Sequence, residues 1–115
     1  MKIYHNPRCS KSRETLALLT ERGQKPEVIE YLKTPPSVAE LDQICQWLNL
    51  EPTALIRSKE DQFKALGLSL KDQRSRQEWL ELLVDNPALL ERPIVVKDGK
   101  AALGRPPENV LALLA

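Results

Sequence analysis

Apolar residues change their spacing several times along this chain, and each change marks an element. Ile3-Tyr4 is a short apolar pair that reads as a first strand. Over residues 10 to 22, Thr15, Leu16, Leu18 and Leu19 take helical spacing, and Gly23 supplies the stop. Val28-Ile29-Glu30-Tyr31 returns to strand-like sequence. A strand, a helix and a strand in this order favour a parallel pair joined by a right-handed crossover.

The middle of the chain is helical. Thr34-Pro35-Pro36 is a turn, and Ser37 with Glu40 forms the pattern of a capping box. Leu41, Ile44, Cys45 and Leu48 then recur at one helical face. Pro52 opens a short turn through Ile56, and Ser58 with Asp61 opens another that ends near Gly67. Ser75 and Glu78 make a second capping box, ahead of a helix carrying Trp79, Leu80, Leu82 and Leu83. Asn86-Pro87 closes it.

The last stretch changes period again. Pro93-Ile94-Val95-Val96 is a dense strand signal, Asp98-Gly99 is a hairpin turn, and Ala101-Ala102-Leu103 is the returning strand. Pro106 and Pro107 begin a final helix with Val110, Leu111, Leu113 and Leu114. The expected fold is therefore α/β with a mixed sheet: β-α-β, a helical insertion at about residues 34–90, a β-hairpin and a C-terminal helix, all in one domain over residues 1–115. A flavodoxin-like sheet would need more parallel strands than this pattern offers.

Composition narrows the function classes. At 115 residues a core can form without staples. Charged residues make up 29% but nearly cancel, at net +1, which argues against nucleic acid or a membrane surface as partner. No apolar run is long enough to span a bilayer, and the chain enters strand-like sequence at once, so no signal peptide is expected. Two cysteines and one histidine, not clustered, cannot by themselves make an ordinary zinc site. A reducing, cytoplasmic setting is expected, with no bound metal or cofactor.

The candidate chemistry sits at Cys9. It lies between the first strand and the first helix, where helical N–H groups lack partners and favour negative charge. Arg8, Lys11 and Arg13 add positive charge nearby in sequence. A free thiol is only about 3% ionised at pH 7, so such a position matters to its reactivity. Ser12 takes the fourth place of a Cys-x-x-Ser pattern, where a dithiol site would hold its resolving cysteine. Its hydroxyl can donate to the Cys9 thiolate, or Ser12 is an ordinary first-turn serine. Either way Cys9 must be resolved by an outside thiol or by Cys45. The helical face on which Cys45 falls reads as core.

His5 is the sole histidine, a candidate thiolate partner or a structural group shaping the Asn6-Pro7 turn. Arg57, Arg92 and Arg105 each stand at the end of an element, where side chains can converge. Arginine's planar fork suits a tetrahedral oxyanion, although each, taken alone, reads first as a solvated or ion-paired surface arginine.

Taken together, several motifs resemble the glutaredoxin-linked arsenate reductase (ArsC-like) family. They are Ile3-Tyr4-His5-Asn6-Pro7-x-Cys9-x-x-Ser12-Arg13-x-Thr15-Leu16, Tyr31-Leu32-x-Thr34-Pro35-Pro36, Ala54-Leu55-Ile56-Arg57, Arg92-Pro93-Ile94-Val95-Val96 and Gly104-Arg105-Pro106. The resemblance is strongest to a short branch of that family. It implies a thioredoxin-like fold and reduction of arsenate to arsenite. It implies Cys9 as the nucleophile of a thiol-arsenate adduct, and Arg57, Arg92 and Arg105 as oxyanion ligands. His5 and Ser12 match residues that support the cysteine, and Pro93 matches a cis proline beside it. Glutathione is implied as co-substrate and glutaredoxin as protein partner. Two other functions remain compatible with the residues: a glutathione-dependent thiol transferase without arsenate specificity, and an Spx-like regulator that binds RNA polymerase. Ser12 removes the Cys-x-x-Cys switch often carried by such regulators.

Overall fold

The structure is a computed structural model, and it describes residues 1–114. The chain divides into two compact units. One joins residues 1–34 to those from Arg92 onward, and the other is Pro35–Glu91.

The first unit holds the sheet. Strand β1 (Lys2–His5) leads into helix α1 (Ser10–Glu21), which returns through Gly23 to strand β2 (Glu27–Glu30). Gly23 adopts φ 76° and the N–H of Gln24 donates to the Leu19 carbonyl at 3.0 Å, a left-handed helix stop that glycine supplies without strain. β1 and β2 pair in parallel, with Ile3 opposite Val28. β2 ends one residue earlier than the apolar run suggests. The Glu30 carbonyl accepts from the N–H groups of Lys33 and Thr34, which turns the chain at Tyr31.

Strands β3 (Ile94–Lys97) and β4 (Lys100–Leu103) form the hairpin. Asp98 and Gly99, at φ 49° and 76°, make the turn that an Asp-Gly pair favours. The sheet order is β2-β1-β3-β4, with β3 antiparallel to β1. One parallel β-α-β pair extended by an antiparallel hairpin is the thioredoxin-like arrangement.

Behind β1, Ile3 and Val95 face each other across the antiparallel pair and join Leu19, Val110 and Leu113 in a core cluster. The final helix is a 3-10 helix, Pro107–Leu114. Its buried residues Pro107, Val110 and Leu113 recur every third position, so three residues per turn keep one apolar edge on the core. Apolar spacing alone does not separate this from a short α-helix.

The second unit is helical. Helix α2 (Val38–Leu48) and helix α4 (Arg76–Asp85) each begin with a complete capping box, Ser37 with Glu40 and Ser75 with Glu78. They pack on each other, and Leu41 and Ile44 of the first and Trp79, Leu80 and Leu83 of the second are buried. Between them lie a 3-10 turn, Pro52–Leu55, and the short helix α3 (Asp61–Ala65). A second 3-10 turn, Pro87–Leu89, follows α4, and two backbone bonds of 2.7 Å, Arg57 N–H to Leu89 and Glu91 N–H to Leu55, join the two turn regions. Among the described residues no helix is long and apolar enough to cross a membrane.

Candidate active site

The loop between β1 and α1 is held by its own backbone. The Asn6 carbonyl accepts from the Cys9 N–H at 3.0 Å, and the Asn6 side-chain carbonyl accepts from the Arg8 N–H at 3.0 Å. The Arg13 guanidinium donates to the Pro7 carbonyl at 2.9 Å from the next turn. These bonds place Cys9 at the N-cap of α1, in extended conformation (φ −94°, ψ 123°), with its thiol part-exposed.

The Cys9 side chain makes no capping hydrogen bond, yet its surroundings lower its pKa. Burial pushes the thiol up. The Ser12 backbone N–H, then the Arg92 guanidinium, then that of Arg105 pull it down, and together they win, so the group lies below its ordinary value. Arg105 Nη1 is 3.8 Å from Cys9 Sγ and also donates to the Arg92 carbonyl at 3.1 Å. A single guanidinium nitrogen thus bridges the sulfur and the strand-entry backbone at Arg92.

The Ser12 hydroxyl serves a different partner from the thiolate considered for it above. It is fully buried, accepts from the Asn6 N–H at 3.0 Å and lies 2.6 Å from His5 Nδ1. Ser12 therefore reaches the sulfur side through its backbone N–H, while its side chain ties α1 to the end of β1. His5 is buried, which lowers its pKa; Glu30 raises it and Arg13 lowers it, and the net shift is down.

The Arg92–Pro93 peptide is cis, the geometry implied by the resemblance, and Arg105–Pro106 is cis as well. The Pro93 carbonyl accepts from the Gly104 N–H at 2.9 Å. Gly104 is buried against Thr15, whose hydroxyl donates to the Lys11 carbonyl at 2.8 Å and approaches the Gly104 carbonyl at 3.4 Å. Asn6, Thr15 and Gly104 all lie inside the motifs quoted above without a role assigned to them. The signal for Gly104 was its place directly before Arg105.

Arg57 belongs to the other compact unit. There its Nε–H donates to Glu60 at 2.9 Å, and Glu91 stands 3.8 Å from Nη1. These groups line an open cleft of about 540 Å³ with Ser58, Lys59 and Asp61. Cys45 is fully buried in the same unit, and burial pushes its thiol up to about 11. Among the described residues no group of three or more His, Cys, Asp or Glu side chains could hold a metal ion.

Fold and site together define a thioredoxin-like protein with a free, part-exposed cysteine at a helix N-terminus, flanked by two arginines of the opposite sheet segment. The ArsC family model matches residues 4–113, and the chain belongs to that family. It is 50% identical over 115 residues to a protein of Neisseria meningitidis serogroup A named arsenate reductase, covering 99% of this chain and 97% of that one. It is 51% identical to the YfgD protein of Escherichia coli K12, covering 99% of this chain and 96% of that one. A solved structure titled arsenate reductase from Vibrio cholerae superposes with a TM-score of 0.90 at 52% identity, covering 96% of this chain and 94% of that one.

Proposed function

We propose that this protein is an arsenate reductase that uses glutathione as co-substrate and glutaredoxin as its reducing partner. The observation that carries the reading is the placement of Arg105 Nη1 at 3.8 Å from Cys9 Sγ and 3.1 Å from the Arg92 carbonyl. A thiol whose pKa is lowered faces guanidinium groups that suit a tetrahedral oxyanion. The names of the relatives support the same substrate.

The reaction follows from that arrangement. Arsenate docks at the N-terminus of α1 between Arg92 and Arg105. The Cys9 thiolate forms a sulfur–arsenic bond, and one arsenate oxygen leaves as hydroxide, which takes up a proton to become water. A glutathione thiolate then attacks Cys9 Sγ. The sulfur–arsenic bond breaks and its electron pair stays on arsenic, so As(V) becomes As(III) while the two thiols become a mixed disulfide. Glutaredoxin attacks the glutathionyl sulfur and returns Cys9 as a thiolate. Ser12 holds the place of a resolving cysteine and the other cysteine, Cys45, is buried, which supports an external reductant. Glutathione is consumed rather than held as a cofactor, and the need for reduced thiols places the protein in the cytoplasm. Arg57 enters this reading by the resemblance alone. To take an oxyanion it would have to exchange its carboxylate partners Glu60 or Glu91.

The deciding assay is arsenate reduction with glutathione and glutaredoxin present. Wild-type turnover, its loss in Cys9→Ser, and a roughly ten- to hundredfold loss in folded Arg92→Lys and Arg105→Ala are expected, since one charged hydrogen bond is worth about 1.5–3 kcal/mol. Arg57→Ala tests the third arginine in the same way. No arsenate turnover, together with rapid reduction of a glutathionylated substrate, would put the thiol transferase in its place.

A further inference from the structure

We infer that Thr15 and Gly104 are positioning residues that fix the Arg105 guanidinium against Cys9. The inference rests on Cys9 as the reacting thiol and not on the identity of its substrate.

Gly104 is not glycine for the sake of its backbone, because it is not among the glycines at positive φ. Space is the reason. A Cβ on Gly104 would overlap the Thr15 hydroxyl and come within 2.7 Å of Pro93 Cγ and 3.0 Å of Thr15 Cγ2. The segment is held tightly in that position. Gly104 N–H donates to the Pro93 carbonyl at 2.9 Å, and the Thr15 hydroxyl, which donates to the Lys11 carbonyl at 2.8 Å, is also shared with the Gly104 carbonyl at 3.4 Å. On the far side of Arg105, the Asn109 side-chain amide donates to the Arg105 carbonyl at 3.2 Å.

Thr15 is fully buried on the same helix that Cys9 caps. A rigid helix therefore carries both the sulfur and the surface against which Gly104 rests. Arg105 is the next residue, and its reach to Cys9 Sγ, 3.8 Å, is already long. Any side chain at position 104 must push the segment away from Thr15 and Pro93, and that displacement opens the gap to sulfur. The Thr15 hydroxyl's bond to the Gly104 carbonyl holds the segment in, the bare Cα of Gly104 lets it come that close, and together they set the arginine-to-thiol distance across 89 residues of sequence.

The test is the pH dependence of iodoacetamide alkylation of Cys9 in the full chain, with folding checked by circular dichroism. Gly104→Ala and Thr15→Val are each made alone and in an Arg105→Ala background. Each single variant is expected to lower the rate at pH 6.5 by at least about twofold, the scale of weakening one exposed charge contact. Neither should lower it further once Arg105 is absent. Thr15→Ser, which keeps the hydroxyl, should retain the wild-type profile. Unchanged profiles in folded Gly104→Ala and Thr15→Val overturn the inference, as do losses that add to that of Arg105→Ala, or a Thr15→Ser profile as impaired as that of Thr15→Val. If Gly104→Ala does not fold, the three Thr15 measurements decide. If the variants behave as expected while the wild-type protein shows no arsenate turnover, the proposed function is refuted and this inference stands.

Discussion

Removing the Arg105 guanidinium should make Cys9 a weaker acid. Two unit charges about 4 Å apart interact by about 1 kcal/mol in bulk water and about 4 kcal/mol at an effective dielectric of 20. Arg105 is exposed and its nitrogen stands 3.8 Å from the sulfur, so the watery end of that range applies. A loss of about 1 kcal/mol lowers the thiolate population about fivefold at a pH below the midpoint. The sign is fixed by the charge: without the cation the thiol holds its proton to higher pH, and the alkylation midpoint of Arg105→Ala moves up. Above both midpoints the two rates should converge, because both proteins are then fully ionised. Arg105→Lys should fall between them, since a point charge remains while the bridge to the Arg92 carbonyl, 3.1 Å in the native protein, is lost.

Salt supplies an internal control. At 1 M ionic strength the Debye length is about 3 Å, shorter than this contact, so the difference between wild type and Arg105→Ala should shrink sharply. Superimposed profiles at low salt would refute the reasoning, and would leave Arg92 and the helix N-terminus as the sole causes of the Cys9 acidity.

Other consequences follow from burial. Cys45, fully buried and with its thiol pushed up to about 11, should stay unlabelled while Cys9 reacts at pH 7–8; intact-mass analysis showing two adducts on folded protein would contradict this. Ser12→Ala leaves the Asn6 N–H without its acceptor in a buried place, and should cost about 1–3 kcal/mol of stability, read as a lower urea midpoint. His5 is held below its ordinary value chiefly by burial, so the unfolded chain binds a proton that the folded chain refuses. Stability should therefore rise with pH up to about 6.5 and be lost as pH falls from there through the folded value, and His5→Gln should flatten that slope in urea titrations.

Much of the fold was legible because local rules act over short stretches. The two capping boxes, the Gly23 stop and the Asp98-Gly99 turn each specify their element from a few adjacent residues, and each is present. The 3-10 form of Pro107–Leu114 was not legible in the same way. A run of Val110, Leu111, Leu113 and Leu114 satisfies an α-helical stripe as well as a threefold one, and the choice is made by packing of Pro107, Val110 and Leu113 against the sheet cluster. The end of β2 at Glu30 likewise depends on which carbonyl captures the turn amides, a choice that apolar content does not encode.

The site divides along the same line. Cys9 could be placed from sequence because strand end, helix start and the thiol are adjacent, and backbone geometry alone makes the helix N-terminus electropositive. The partner of the Ser12 hydroxyl could not. Seen along one helical turn, its nearest partner is the Cys9 sulfur; in the folded chain the hydroxyl meets His5 Nδ1 at 2.6 Å instead. The hydroxyl is thereby withdrawn from the thiolate, and the task of favouring negative charge passes to a backbone N–H and to guanidinium groups that arrive from the end of the chain. Those donors differ in what they can be lost to. The Ser12 N–H is part of α1 and survives any side-chain change at that position, whereas the Arg105 contribution depends on Gly104 having no side chain and on the Thr15 hydroxyl that meets its carbonyl. Thiol acidity in this protein is therefore built in two layers, one carried by local backbone and one carried by long-range packing. Substitutions at Thr15 and Gly104 should remove only the Arg105 share of the second, leaving that of Arg92 in place.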